Sequence, residues 1–147
     1  MATIDKRVGG GEGLPASNCG QLTRLQMEID FSEDNAALDD VVQLFDVPAG
    51  TYVFTAAGDV EAVEGAAGTF DLGDGDDPDG YLAGADANAL GKSCSAPGAL
   101  AEGAPNTLDP AFARGKFYAT AGVIQLTAKA ALDAAKVKIA ILCAKAI

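Results

Sequence analysis

The residues with the clearest capacity for chemistry are five aspartates that lie between Asp71 and Gly80. Carboxylates two residues apart, separated by glycines, are a pattern with which proteins hold hard cations such as Ca²⁺. The spacing does not fit an EF-hand loop. Counting from Asp74 places Pro78 at the fifth position and Ala85 at the twelfth, where a bidentate glutamate is required. Two hypotheses stay open, a loose cation site and a solvated turn whose charges are screened by water. We expect the solvated turn, and therefore no metal.

Covalent and acid–base catalysis has little support in the sequence. Histidine is absent, which removes the commonest general base near neutral pH. Ser93-Cys94-Ser95 carries nucleophilic atoms, but no base lies near it in the sequence, so we interpret Cys94 as a bystander thiol. The glycines at Gly9–Gly13 lack the Gly-Lys-Ser/Thr ending of a phosphate-binding loop, and no strand precedes them. We therefore predict no catalytic residue and no cofactor site, and we expect that the protein is not an enzyme.

Three tyrosines form the remaining candidate site. Tyr52, Tyr81 and Tyr118 lie at the edges of predicted strands or loops, where aromatic rings could line a sugar-binding surface. Aromatic side chains at such positions also pack against a core in the ordinary way. A carbohydrate-binding module therefore stays open as an alternative from a different functional class.

The charges are both unbalanced and segregated. The net charge of −11 argues against direct contact with nucleic acid, whose phosphates would be repelled. Sixteen of the 21 acidic residues lie between Glu28 and Asp86, while six of the ten basic residues lie between Arg114 and Lys145. This pattern indicates either a solvated acidic face or complementary surfaces between copies of the chain or with a basic partner.

The cysteines indicate a reducing environment. Cys19, Cys94 and Cys143 are odd in number and far apart, and they form no Cys-x-x-Cys pair. The segment Met1–Arg7 lacks the apolar core of a secretory leader, so we expect synthesis in a cytoplasm with free thiols. No apolar run approaches the length of a membrane-spanning helix.

Alternating apolar and polar residues predict about eight short strands. Their predicted ranges are 22–31, 41–47, 51–57, 60–64, 69–72, 115–120, 123–129 and a last strand from Lys136 through Cys143. Pro48-Ala49-Gly50 is typical of a tight turn, so the second and third of these strands are predicted to form a hairpin. Short helical turns are possible at 33–40 and 128–135.

These elements predict a single all-β domain over residues 21–147. Residues 1–20 are rich in glycine and lack a core pattern, which is typical of an extended N-terminal arm. Residues from about 81 to 114 are rich in Ala, Gly, Ser and Pro without clear periodicity, and they are predicted to form one long irregular loop. Strands at turn-punctuated intervals favour a β-sandwich, of which a jelly roll is one form.

Parts of the sequence resemble small virion proteins of tailed bacteriophages, a group that includes capsid decoration (cement) proteins. The resemblance lies in 41–57 with its Val47-Pro48-Ala49-Gly50 turn, in the segment 69–82, and in Gly115–Thr127 followed by Lys136–Ile139. It covers roughly residues 40–145 and rests on turns and strand patterns, without chemical motifs.

The resemblance implies a β-sandwich subunit that is made in the host cytoplasm and assembled in many copies on the virion. A decoration protein would bind the lattice of the major capsid protein and stabilise the shell. We expect such a subunit to form a homo-oligomer, most naturally a trimer on three-fold positions, with the C-terminal strand near the contact. A tail or neck protein of the same kind of particle is the alternative.

Overall fold

The fold consists of ten β-strands in a computed structural model that describes residues 1–6, 22–94 and 115–145, with only the backbone at 92–94. The strands are Thr3–Asp5 (β1), Leu22–Asp30 (β2), Val41–Val47 (β3), Thr51–Ala62 (β4), Thr69–Asp74 (β5), Leu82–Asp86 (β6), Gly91–Cys94 (β7), Lys116–Tyr118 (β8), Gly122–Ala128 (β9) and Lys136–Lys145 (β10). The described residues contain no helix, and therefore no helix that could cross a membrane.

The strands form two sheets that pack face to face. Sheet I has the order β1-β3-β9-β5-β6, and sheet II has the order β2-β10-β4-β7, with β8 also paired to β4. Every pairing is antiparallel except the parallel contact of β1 with β3. The prediction of an all-β sandwich is confirmed. Ten strands are described where about eight were expected.

The predicted hairpin of 41–47 with 51–57 is wrong. β3 pairs with β1 and β9 in sheet I, whereas β4 pairs with β10, β7 and β8 in sheet II. The turn itself forms as expected. Gly50 has a φ of 82°, which favours glycine, and its N–H donates to the carbonyl of Tyr118 at 2.7 Å. Pro48-Ala49-Gly50 therefore carries the chain from one sheet to the other, a distinction that a local turn signal does not contain.

Gly58 does not end a strand, as the sequence suggested, because β4 runs without a break from Thr51 to Ala62. A Cβ atom at Gly58 would lie 3.5 Å from Ile139 Cδ1 and 3.7 Å from the ring of Phe70. These are ordinary contact distances, so residue 58 faces the interior of the sandwich within a continuous strand. No helix forms at 33–40 or 128–135, where short helical turns were possible, and an isolated bridge between Ala36 and Leu132 joins these two segments.

Two predicted irregular regions contain strands where the structure describes them. β6 and β7 lie within the segment 81–114 that was predicted to be one irregular loop, and residues 95–114 lie outside the described residues. In the predicted arm at 1–20, residues 3–5 form β1 on the edge of sheet I. Residues 7–20 of that arm lie outside the described part of the chain.

The last strand supplies much of the core. Val137, Ile139, Ile141 and Cys143 alternate along β10 and are all at most 1% exposed, which confirms the predicted strand. β10 lies between β2 and β4 at the centre of sheet II. Burial raises the pKa of the Cys143 thiol to about 11, so this cysteine is a poor nucleophile at neutral pH.

Buried carboxylates fix the connections between strands. Glu64, which is 7% exposed, accepts hydrogen bonds from the backbone N–H groups of Asp133, Ala134 and Ala135 at 2.8, 3.2 and 2.8 Å. It thereby ties the connection after β4 to the connection before β10. Asp40 acts in the same way near β1, because its carboxylate accepts from the N–H of Ala2 at 2.7 Å and from that of Ala37 at 2.9 Å.

These hydrogen bonds hold the carboxylates in their charged form. Burial by itself raises the pKa of Glu64, but the three backbone N–H donors outweigh it, so the pKa lies below its ordinary value. The backbone N–H groups of Ala2 and Ala37 likewise lower the pKa of Asp40. A lowered pKa means that the folded state gains stability above the unfolded pKa, and that this gain is lost as the pH falls.

Replacing Glu64 with Gln should destabilise the fold at neutral pH by about 2 kcal/mol, the contribution typical of hydrogen bonds to a charged group. The difference from the unchanged protein should narrow as the pH falls below about 4.3, where the glutamate of the unfolded chain takes up a proton. Denaturant unfolding at several pH values measures both effects. Glu61→Gln is the matched control and should change stability little, because its pair with Lys138 lies at the surface. Equal losses for the two variants would contradict this account.

Candidate functional site

The acidic loop is anchored by a buried aspartate at the end of β5. Asp74 is 2% exposed, and its Oδ2 accepts from Lys116 Nζ at 2.5 Å and from the hydroxyl of Tyr118 at 2.7 Å. Its Oδ1 accepts from the backbone N–H groups of Asp76 and Asp77, each at 3.0 Å. The expectation that water solvates this loop is therefore wrong for Asp74.

The side-chain partners of Asp74 come from the opposite sheet, since β5 belongs to sheet I while Lys116 and Tyr118 belong to β8. Burial by itself raises the pKa of Asp74, but Lys116, Tyr118 and two backbone N–H groups outweigh it and leave the pKa below its ordinary value. The ion pair thus joins the two sheets at one end of the sandwich.

The three tyrosines do not form one surface. Tyr81 and Tyr118 are buried, and their hydroxyl groups lie 3.0 Å apart. Burial raises the pKa of both hydroxyls far above the ordinary value, so both stay protonated. Tyr52 lies on the outer face of sheet II, where its ring centroid is 4.8 Å from that of Phe54. The hypothesis of a sugar-binding surface built from these tyrosines is therefore wrong.

The rest of the acidic loop folds back over its own strand. A side chain at Gly73 would collide with the backbone of Asp77 and Pro78, so the close approach requires glycine. Among the described residues, no group of three or more Asp, Glu, Cys or His side chains is placed to hold a metal ion. The ammonium group of Lys116 lies against Asp74 and is 3.8 Å from the carboxylate of Asp76. It supplies the positive charge that a cation would bring.

A cavity of about 350 Å³ lies beside this cluster, and its lining is mainly polar. Gln43, Asp74, Asp76, Thr120 and Gln125 contribute to its wall. The described residues of this wall include no cysteine thiol and no lysine amine that could act as a nucleophile. The arrangement of carboxyl, amide and hydroxyl groups does not match any catalytic constellation.

The outer face of sheet II carries a different kind of site. Four directly opposed residues cross it from β2 to β8, namely Leu22, Ala144, Tyr52 and Phe117. Leu22 is 61% exposed and Phe117 is 49% exposed, and Phe54, two residues beyond Tyr52 on β4, is 40% exposed. We call these five residues the apolar row.

The same face becomes charged towards its other end. Lys138 lies opposite Glu28 on one side and Asp59 on the other, and it forms an ion pair with Glu61. Lys136 Nζ lies 3.1 Å from a carboxylate oxygen of Glu28. Because opposite charges are paired here, this end of the face is suited to water, whereas the apolar row is suited to contact with another surface.

Between the two ends lies a shallow depression of about 120 Å³. Its floor is formed by the small residues Ala57, Gly58 and Ala140, and Arg24 and Lys138 stand at its rim. Exposed aromatic and aliphatic side chains next to a pocket with small residues form a surface of the kind that binds proteins. The arrangement can bury area against a partner.

Sequence reasoning did not find the apolar row, although part of its signal is visible. Leu22 and Tyr52 lie at outward positions of predicted strands, so their exposure could have been inferred from alternation alone. Their alignment with Phe117 depends on the order β2-β10-β4 and on the pairing of β8 with β4. Strand order is a long-range property that the alternation of residues does not encode.

The likeness to known proteins is confined to structure. No protein-family profile matches the sequence, and no curated protein matches it. A chain in the capsid structure of Ralstonia phage GP4 is 16% identical with a TM-score of 0.62, and the match covers 98% of this chain and 99% of that chain. A chain in the acidic stable capsid structure of Helicobacter pylori bacteriophage KHP30 is 14% identical with a TM-score of 0.54, over 83% and 86% of the two chains. At these identities the matches establish a shared fold.

Calcium should not stabilise the protein, because Lys116 already compensates the charge of Asp74. Thermal unfolding in EDTA and in millimolar calcium should give the same midpoint. Asp74→Asn should lower the midpoint equally in both solutions, whereas Asp76→Asn, at a side chain that is 95% exposed, should have little effect. A rise of several degrees in calcium that is lost in Asp76→Asn would show that the loop is a cation site.

Proposed function

We propose that this chain is a decoration (cement) protein of a bacteriophage capsid, located on the virion and bound to the lattice of the major capsid protein. The observation that carries the proposal is the fold shared over nearly the whole chain with a chain in a phage capsid structure. The second capsid-structure chain supports the same class of particle. The turns and strand patterns of residues 40–145, which resemble small virion proteins of tailed phages, agree with it.

The apolar row is the proposed docking surface for the shell. Shells are built from many weak contacts, and a protein that binds the assembled lattice shifts the equilibrium towards the intact particle. Leu22, Phe54 and Phe117 are exposed in the single chain, and covering them would supply hydrophobic free energy without any chemical step. This role requires no catalytic group and no cofactor, and we propose none. The acidic character of the chain argues against contact with the packaged nucleic acid.

The expected trimer is part of the proposal, with one change. β10 is the central strand of sheet II, so it cannot pair edge to edge with a strand from another copy. A contact between copies near the C-terminal strand must therefore use the outer face of the sheet, through side chains outside the apolar row such as Ala140 and Leu142.

The N-terminal arm at residues 1–20 is the proposed second attachment element. β1 at Thr3–Asp5 holds one end of it on sheet I, and β2 begins at Leu22 in sheet II. Residues 7–20 lie outside the described part of the chain, and their glycines suit a segment that orders on a partner. A chain without residues 1–20 should fold with lower stability, because Asp40 loses the N–H of Ala2, and it should fail to join particles in the binding assay below.

The alternative within the same class is a tail or neck protein. The two structural matches favour the capsid, since both are chains of capsid structures. No observation favours a carbohydrate-binding module, because the tyrosines proposed for it are divided between the core and the surface.

Phe54→Asp and Phe117→Asp should each abolish most binding to shells prepared from phage that lacks this gene. Each ring is 40–49% exposed in the free chain, so covering the exposed part contributes about 1 kcal/mol. A carboxylate at the same place would be buried without a partner at a further cost, so the affinity should fall by roughly tenfold or more. Co-sedimentation of purified protein with the shells measures the binding. Leu38→Asp is the matched control, since Leu38 is 59% exposed but lies outside the apolar row, and it should bind like the unchanged protein.

Two results would contradict the proposal. If the unchanged protein sediments with isolated tails and not with shells, the chain is a tail or neck protein. If Phe54→Asp and Phe117→Asp bind shells like Leu38→Asp, the apolar row is not the docking surface. Thermal unfolding of each variant shows whether a loss of binding reflects a loss of the fold.

A further inference from the structure

The outer edge of β2 is a long strand edge with no partner in the described part of the chain. β2 has nine residues and pairs along its whole length with β10. It is the terminal strand of sheet II, and no other strand of residues 1–6, 22–94 and 115–145 pairs with its other side. An edge of this length presents a row of backbone donors and acceptors that can pair with another chain.

The residues that face this edge follow from the hydrogen bonds on the other side. Phe31 N–H donates to the carbonyl of Ala135 at 2.9 Å, and the β2–β10 register continues from there without a shift. Backbone groups alternate in an antiparallel strand, so the odd-numbered residues of β2 point towards β10. Arg24, Gln26 and Glu28 therefore present their N–H and C=O groups at the open edge.

Several side chains along β2 also lack contacts that a further strand would supply. Arg24 is exposed and forms no ion pair or hydrogen bond within the described residues. Leu25 and Met27 point towards the core, yet they are only partly buried. Both features indicate that a further strand would add contacts at this edge, with an acidic group near Arg24 and apolar groups near Leu25 and Met27.

We propose that this edge binds β2 of a second copy, antiparallel and about a two-fold axis at Gln26. In this register Arg24 lies opposite the partner's Glu28, and Leu25 lies opposite the partner's Met27. Each contact occurs twice because the axis repeats it. All nine residues of both strands overlap, and every edge-facing N–H and C=O group of one strand meets those of the other.

Neighbouring registers are less favourable. An axis at Leu25 places Arg24 opposite the partner's Gln26, so both charge pairs are lost. An axis at Met27 keeps a charge pair, with Arg24 opposite the partner's Asp30, but it leaves Leu22 and Thr23 without partners. Opposite charges and apolar pairs directly across a strand pair stabilise it, so the axis at Gln26 combines the longest overlap with the best pairing.

The contact joins the two copies of sheet II into one continuous sheet. A two-fold axis perpendicular to the sheet keeps both outer faces on the same side, so the two apolar rows face one common surface. This dimer does not depend on the proposed function, because it forms between two free copies in solution. It also leaves the face near β10 available for a three-fold contact.

Charge exchange tests the proposal. Arg24→Glu places two acidic groups opposite each other at each pair, and Glu28→Arg places two basic groups there, so each variant alone should lose the contact. An equimolar mixture of the two variants should recover it, because both opposing pairs then have opposite charges. Sedimentation velocity should give half the mass of the unchanged protein for each variant, and the full mass for the mixture and for the double variant in one chain.

A second variant keeps the test decisive if a charge change disturbs the fold. Gln26→Pro removes an N–H from the open edge without removing a hydrogen bond to β10, and Gln26→Ser is its matched control. In sedimentation velocity, the proline variant should have half the mass of the unchanged protein, and the serine variant should have the full mass. The proposal is wrong if the unchanged protein and Arg24→Glu have the same mass at every concentration, if the mixture does not recover it, or if Gln26→Pro associates normally.

Discussion

The structure depends on the need to satisfy carboxylates that are removed from water. Asp40, Glu64 and Asp74 are all less than 9% exposed, and a buried charge without partners would cost several kcal/mol. Each of them meets this constraint by accepting hydrogen bonds from parts of the chain that are distant in sequence. The carboxylates therefore fix connections that small and β-branched core residues would leave imprecise.

Asp74 shows how the constraint shapes both sheets. Its ion pair with Lys116 and its hydrogen bond with Tyr118 join β5 of sheet I to β8 of sheet II. The hydrogen bonds that Asp74 accepts from two backbone N–H groups also hold the acidic loop in a tight turn. Because this network closes one end of the sandwich from within, the outer faces are left free for contacts with other molecules.

The sequence predicted most of the long strands but missed β1, β6 and β7, and it did not predict how the strands are arranged. The alternation along β10 predicted which side chains are buried, because a strand in a half-buried sheet has a period of two residues. The hairpin of β3 and β4 was wrong because a turn signal is local, and it is the same whether the chain folds back or crosses between sheets. The burial of Asp74 could not be predicted, since Lys116 lies 42 residues away. The apolar row was missed for the same reason, because it depends on the order of four strands.

We propose that this β-sandwich binds a phage shell through the apolar row on the outer face of sheet II. Cryo-electron microscopy of the intact virion tests it most directly. We expect density for the chain on the capsid, with Tyr52, Phe54 and Phe117 against the major capsid protein. Density in which the same residues face solvent, or in which the chain lies only in the tail, would contradict it.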